Sequence, residues 1–285
     1  MKEKIIELQT NDISSIVALS ETVGWDYDKR EVRTVLEVGT VYVIKNGDYV
    51  IASAALIPYA NTGLASIGMV IVAPAYRGQG LGRMVTQACI NKADNKFTLL
   101  LVATEDGKKL YEKMDFVEWG EVHKYVRSET EYQRETNLDD HEYKWRPYQK
   151  EDFNQLVQLD EQAFGANRRR LIIQRLNQCK KCTVLIDERE CITAYGMAIE
   201  TPANTIIGPL VAPDSEKAKK LINLLLRGNQ GNIRIDMPKQ DDLISTYLID
   251  QGFKLSAQPP IMVRGNKAGI KRNGQLYALA AQIFG

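Results

Sequence analysis

The sequence predicts an α/β protein with mixed sheets, built as two similar halves of one chain. Three observations predict it. Strand-like and helix-like apolar patterns alternate along the first half. The apolar strand ending Val70-Ile71-Val72 runs into a glycine-rich turn, Arg77-Gly78-Gln79-Gly80-Leu81-Gly82-Arg83, and the turn runs into a helix. The same order of signals then recurs: Pro74 and Pro213 stand 139 positions apart, and Phe116 and Phe253 stand 137 apart.

The elements follow in order. Ile5–Leu8 reads as a short strand, and Thr10-Asn11-Asp12 offers caps for a helix carrying Ile13, Ile16, Val17 and Leu19. A second helix is expected from Asp28 to Val38, stopped by Gly39. Val41–Ile44 and Tyr49–Leu56 flank Asn46-Gly47-Asp48, a hairpin signal. Leu64–Val72 is a strand, and Gly80–Lys92 is a helix with Met84, Val85, Ala88 and Cys89 on its apolar face. A buried strand (Phe97–Val102), a helix (Asp106–Met114) and a long strand (Phe116–Val126) complete the half.

Residues 127–142 are polar and nearly free of apolar groups, so they read as an interdomain linker. The expected domains are 1–130 and 143–285, joined by 131–142. In the second half, Ile206–Pro213 lines up with Ser66–Pro74 and Leu248–Phe253 with Tyr111–Phe116. The glycines do not recur: Pro213 is followed by Asp214-Ser215-Glu216-Lys217-Ala218, whose acids would repel an anion.

Composition bounds the function. With 285 residues, 37 Lys+Arg and 36 Asp+Glu, the net charge of +1 argues against a general nucleic-acid binder. No apolar run is long enough for a membrane span. The first residues, Met1–Glu7, have no long apolar core, so no signal peptide and a cytoplasmic location are expected. Cys89, Cys179, Cys182 and Cys191 read as structural thiols. A lone CxxC with His123 and His141 far away in sequence is a poor zinc site, so no metal is expected.

The glycine-rich turn can hold a pyrophosphate. Gly78, Gly80 and Gly82 let the backbone approach an anion, the first N–H groups of the following helix point at it, and Arg77 and Arg83 add charge. With Val72-Ala73-Pro74 before it, the turn resembles the acetyl-CoA-binding motif of the GNAT family of N-acetyltransferases. Gly107–Phe116, containing Leu110-Tyr111-Glu112-Lys113, is similar to that family's second motif. The resemblance covers residues 1 to 130 and implies tandem GNAT folds, because the second half repeats the first. Phe164-Gly165-Ala166-Asn167-Arg168, Gly208-Pro209 and Asp236-Met237-Pro238 also resemble the C-terminal module of some two-domain bacterial GNAT proteins. Two departures stand out. Asp115 replaces the usual Gly, suggesting a different helix exit, and Thr104 replaces an Asn that often contacts the cofactor.

The resemblance implies acetyl-CoA as cosubstrate, held by Val70, Ile71 and Val72 through main-chain groups, by Arg77 through Arg83 (including Gln79 and Leu81), and by Thr104. It implies Tyr111 as general acid, a helical tyrosine packed in the core being the plainer reading. No base stands out. His123, Glu21, Asp26, Asp28 and Asp160 are candidates, and a water chain is the favoured alternative. Trp25, Asp26 and Asp28 lie between the first two helices, where the resemblance puts the acceptor; they suit a cationic amine or, equally, a helix cap. Arg168-Arg169-Arg170 reads as a solvated helix face. The expected activity is acetyl transfer to the primary amine of a small molecule by direct attack in a ternary complex. A protein or peptide acetyltransferase and a non-catalytic CoA-binding sensor are the alternatives. The second half is expected not to bind CoA, and a homodimer is left open.

Overall fold

A computed structural model describes residues 4–60, 62–94, 96–129, 144–229, 231–238 and 241–285. The expected linker, 131–142, lies outside the described residues. The first half contains β1 (Ile5–Glu7), α1 (Ile13–Glu21), α2 (Lys29–Val38), β2 (Thr40–Asn46), β3 (Tyr49–Pro58), β4 (Leu64–Val72), α3 (Leu81–Ala93), β5 (Thr98–Val102), α4 (Glu105–Glu112), β6 (Val117–Glu121) and β7 (His123–Arg127). The second contains β8 (Lys144–Pro147), α5 (Phe153–Phe164), α6 (Arg169–Gln178), β9 (Cys179–Ile186), β10 (Ile192–Glu200), β11 (Thr205–Val211), α7 (Ser215–Leu226), β12 (Ile233–Met237), α8 (Asp242–Asp250), β13 (Lys254–Ala257), β14 (Pro260–Arg264) and β15 (Leu276–Ala278).

The strands form two mixed sheets. The first runs β1-β2-β3-β4-β5-β14-β6, and the second, read from its other edge, runs β8-β9-β10-β11-β12-β7-β13. Position by position the two orders correspond, so the repeat seen in the sequence is a repeat of topology. The sixth strand is exchanged: β14 from the second half completes the first sheet, and β7 from the first half completes the second. The long strand expected over Phe116–Val126 therefore breaks at Val122, whose N–H bonds to Pro259 O at 2.9 Å.

The compact units are correspondingly discontinuous. One comprises Met1–Trp119, Met262–Gly269 and Ile283–Gly285; the other comprises Gly120–Ile261 and Ile270–Gln282. The boundary expected at residue 130 thus falls between Trp119 and Gly120. A linear reading could not anticipate this, because pairing partners distant in sequence decide which sheet a strand joins.

In the first unit, α3 packs one face of the sheet. Leu81, Val85, Cys89 and Ile90 meet Tyr42, Ile44, Ala52, Ala54, Ala65 and Ile67 in a single core cluster. The alternate residues of the strands, such as Val41, Val43, Ser53 and Ala55, are equally buried on the other face. There α1 packs on β3 and β4, and α2 on β2 and β3, with Ile16, Val32 and Val35 inaccessible to solvent. Each such side chain contributes about 1.5–3 kcal/mol.

In the second unit, Arg168 is buried rather than solvated. Its Nε and Nη2 donate to the Asp160 carboxylate at 2.9 and 2.6 Å, and Tyr195 Oη donates to the same group. The guanidinium lies 3.9 Å from the Phe164 ring centroid. This correction to the solvated-face reading has a physical reason: a buried bidentate carboxylate, not water, satisfies the charge.

The helix exit at Asp115 is also corrected. Asp115 has φ +65°, and Gly252, its counterpart in the repeat, has φ +82°. Tyr111 O accepts from the N–H groups of Met114 and Phe116, and Leu248 O from those of Gln251 and Phe253. The exit is the same in both copies, because aspartate tolerates the left-handed region. Asp115→Val should lower stability by about 1–2 kcal/mol, whereas Asp115→Gly should not lower it. Denaturant titration of both variants checks this.

Candidate active site

The site is built where β4, α3 and α4 meet. After β4 the chain turns through Pro74–Tyr76 into exposed Arg77, Gly78, Gln79 and Gly80. Gly78 and Gly80 each have φ +79°, and a Cβ at either would meet nothing within 4 Å. Gly80 is the left-handed N-cap of α3, with no side-chain cap. The first N–H groups of α3, from Leu81 to Arg83, therefore face outward beside exposed Arg77 and Arg83. Backbone donors and a helix dipole at an open turn, flanked in sequence by two exposed arginines, fit a pyrophosphate.

Beside the cradle, β4 carries a bulge. Ala55 pairs with Gly68 and Ser53 with Ile71, so Ala54 faces two residues, Met69 and Val70. Met69 has φ +52°, and Ser53 Oγ donates to its carbonyl at 2.8 Å inside the core. The parallel pairing of β4 with β5 covers Leu64, Ala65 and Ser66. Beyond Ser66 the two strands part, and the β4 edge from Ile67 to Val72 faces no strand among the described residues. Val70 and Val72 are half-buried with side chains on the α3-side core, and Ile71 is buried. The bulge escaped the sequence reading, although Gly68 in mid-strand is a signal for one.

Tyr111 is 6% exposed, and its ring lies in the α3-side core, edge-on to Phe116 at 5.9 Å. Burial, and secondarily the neighbouring Cys89, raise its pKa above the ordinary tyrosine value. The phenol is thus a proton donor, not an anion, across the physiological range. Thr104 caps α4, its Oγ1 accepting from Gly107 N at 3.1 Å. A Cβ on Gly107 would lie 2.9 Å from the Tyr111 ring, so this glycine is what lets the ring lie against the helix start. Leu110 and Val72 both come within 3.5 Å of a Cβ at Gly82, bringing α4, β4 and α3 together.

The α1–α2 connection holds Trp25 and Tyr27 with ring centroids 6.1 Å apart, and Asp26 is exposed. Asp28 is the N-cap of α2. Its Oδ1 accepts from Glu31 N at 2.7 Å and its Oδ2 pairs with Arg30 at 3.3 Å. Of the base candidates, Glu21, Asp26 and Asp28 belong to this unit. His123 and Asp160 belong to the second: His123 lies opposite Met237 in the sheet with its Nε2 2.8 Å from Glu121 Oε1, and Asp160 pairs with Arg168. Among the described residues no group of three or more His, Cys, Asp or Glu is placed to hold a metal ion. All four cysteines are free, and no described helix is long and apolar enough to cross a membrane.

The second copy closes the same features with its own atoms. Asp214 caps α7, accepting from Lys217 N at 2.9 Å and pairing with Lys217 Nζ at 2.7 Å, so a carboxylate already occupies the helix start. The register of β11 also shifts, between Gly196–Leu210 and Ala198–Ile207, over Gly208-Pro209. There the open edge is filled: β15 pairs with β11 through Leu210–Ala278 and Val211–Leu276, and Leu279 N bonds to Asp236 O of β12. Leu248 replaces Tyr111 and is fully buried.

Comparison with known proteins agrees with this anatomy. Models of an acetyltransferase (GNAT) domain match residues 37–118 and 156–278. A Bacillus subtilis protein called an uncharacterized N-acetyltransferase, YitH, is 35% identical over 286 residues, covering 99% of each chain. The chain belongs to the GNAT family of N-acetyltransferases. A putative acetyltransferase from Pyrococcus horikoshii shares the fold at TM-score 0.78 and 20% identity, over 99% of this chain and 95% of that one. A tandem GNAT protein from the clavulanic acid biosynthesis pathway shares it at TM-score 0.68 and 15% identity, over 92% and 98%. GNAT acetyltransferases use acetyl-CoA and act on small-molecule or protein substrates.

Gly80→Asp places a side chain and a negative charge in the cradle of the first unit. Calorimetry should find one acetyl-CoA site per wild-type chain and none in the variant. Two sites, or binding that survives the change, would contradict the assignment.

Proposed function

We propose that this N-acetyltransferase moves the acetyl group of acetyl-CoA to the primary amine of a small molecule, by direct attack in a ternary complex. The observation that carries the reading is the bulged, unpaired β4 edge beside the glycine cradle, present in the first unit and filled by β15 in the second. The second unit accordingly binds no acetyl-CoA. Residues 78–83 and the two arginines hold the pyrophosphate. Main-chain groups of Val70–Val72 align the pantetheine, and one N–H there stabilises charge on the carbonyl oxygen. Acetyl-CoA, when bound, supplies the acyl group as a thioester. Tyr111 gives its hydroxyl proton to the departing thiolate, and the amine loses its proton to water.

Thiol release with a panel of amines tests the activity. The panel includes lysine peptides, and a preference for these would move the acceptor to protein. Tyr111→Phe should lower kcat by about 10²–10⁴-fold and leave acetyl-CoA affinity nearly unchanged. Because the folded protein holds the phenol protonated, wild-type kcat should not fall with Tyr111 ionisation below about pH 10. An unchanged kcat in the variant, with chemistry rate-limiting and thermal stability retained, would return Tyr111 to a packing role.

Asp26 and Trp25 give the acceptor side its charge and aromatic face. Asp26→Asn should raise KM for cationic amines about two- to fivefold, as loss of an exposed charge does, and leave neutral amines unaffected. Asp28→Ala, which removes a cap, should instead lower stability by about 1 kcal/mol. Equal KM effects on all amines would remove Asp26 from the acceptor site.

A further inference from the structure

We infer that Ile283 is a wall of the acceptor pocket and sets the bulk of amine that the enzyme accepts; the inference rests on the acetyl-transfer reading above. Ala65 and Ile67 of β4 point into the α3-side core. Ser66 and Gly68 therefore point to the opposite face, which also carries α1 and α2. Trp25 and Asp26, proposed above for the acceptor side, lie in the connection between α1 and α2, so the amine is taken to approach the carbonyl from this face.

On that face, Ile283 lies directly on the main chain of Gly68. A Cβ at Gly68 would be 2.4 Å from Ile283 Cγ1 and 3.1 Å from its Cα. Gly68 immediately precedes Met69, the bulge residue, and lies two positions before Val70, so Ile283 stands beside the Val70–Val72 stretch proposed to hold the carbonyl. Ile283 is itself buried, at 5% exposure, and Gly68 beneath it keeps partial exposure, so the wall is tightly packed and leaves a narrow opening rather than a closed face.

The side chain is anchored. Tyr59 Oη donates to Phe284 O at 2.6 Å. That spends its single hydrogen, so in the 2.9 Å contact between Tyr59 and Ser66 the serine is the donor. Tyr59, Ser66 and Phe284 are all buried. Two hydrogen bonds inside the core hold the segment that carries Ile283 against β4, giving the wall a fixed position. Residues 283–285 belong to the first compact unit although 270–282 belong to the second, as expected if this short segment serves the first unit's site.

The experiment compares kcat/KM for a branched and a straight-chain primary amine in the full-length protein, with acetyl-CoA affinity by calorimetry and thermal stability alongside. Ile283→Ala should raise the branched-to-straight ratio about tenfold, the scale set by a methylene or two in an apolar pocket. Gly68→Ala should push Ile283 forward and lower the ratio, and the double variant Gly68→Ala/Ile283→Ala should restore it. Acetyl-CoA affinity should stay within about twofold of wild type throughout. If Ile283→Ala does not fold, Ile283→Val carries the same test with a smaller shift. A ratio that is unchanged in folded variants, or a change in acetyl-CoA affinity in place of the ratio, overturns the wall. A wild type that releases no thiol with any amine overturns the acetyl-transfer reading and the wall with it.

Discussion

Backbone hydrogen-bonding groups must be paired, and two parallel strands that part leave a row of them open. In the first sheet, pairing of β4 with β5 stops at Ser66, and the bulge at Met69 then bends β4 away. In the second sheet the equivalent edge of β11 receives β15. One topology thus meets the same constraint in two ways. The copy that supplies its own strand has also placed Asp214 at the helix start and Leu248 at the tyrosine position. The glycine turn, the helical tyrosine and the open edge are missing together from the second copy, and each difference is visible as a particular residue.

The supports of the site are mostly small or uncharged groups. Ser53 holds the bulge through one hydroxyl. Gly107 makes room for the Tyr111 ring, and Gly82 lets Leu110 and Val72 close on the start of α3. These contacts fix where the cradle, the β4 backbone and the phenol stand relative to one another. Any reaction at this site depends on that rigidity, because geometry supplies much of the rate in group transfer.

Much of this was readable in the chain. The glycine turn, the strand before it and the helix after it carry local signals, and Asp28 and Gly39 mark the ends of α2 as their chemistry requires. The duplicated order could be read from the matching spacings of Pro74 to Pro213 and Phe116 to Phe253. What escaped were non-local facts. Nothing local tells Phe116–Val126 that its two ends join different sheets. Arg168 sits in a run of three arginines that looks solvated, and only Asp160, eight positions earlier, and Tyr195, on another strand, explain its burial. Ile283 lies more than two hundred positions from Gly68, so its place against β4 has no signature in either segment.

The exchanged sixth strands bear on how the molecule is made. The first sheet lacks β14 until residue 264 has been synthesised, although β5 ends at residue 102. During translation, β5 and β6 therefore wait with unpaired edges for most of the chain, and sequence-distant closure of this kind is slow. The N-terminal sheet can therefore be completed only after nearly the whole chain has been made. The repeated topology in this way ties the completion of the first sheet to the synthesis of the second half of the chain.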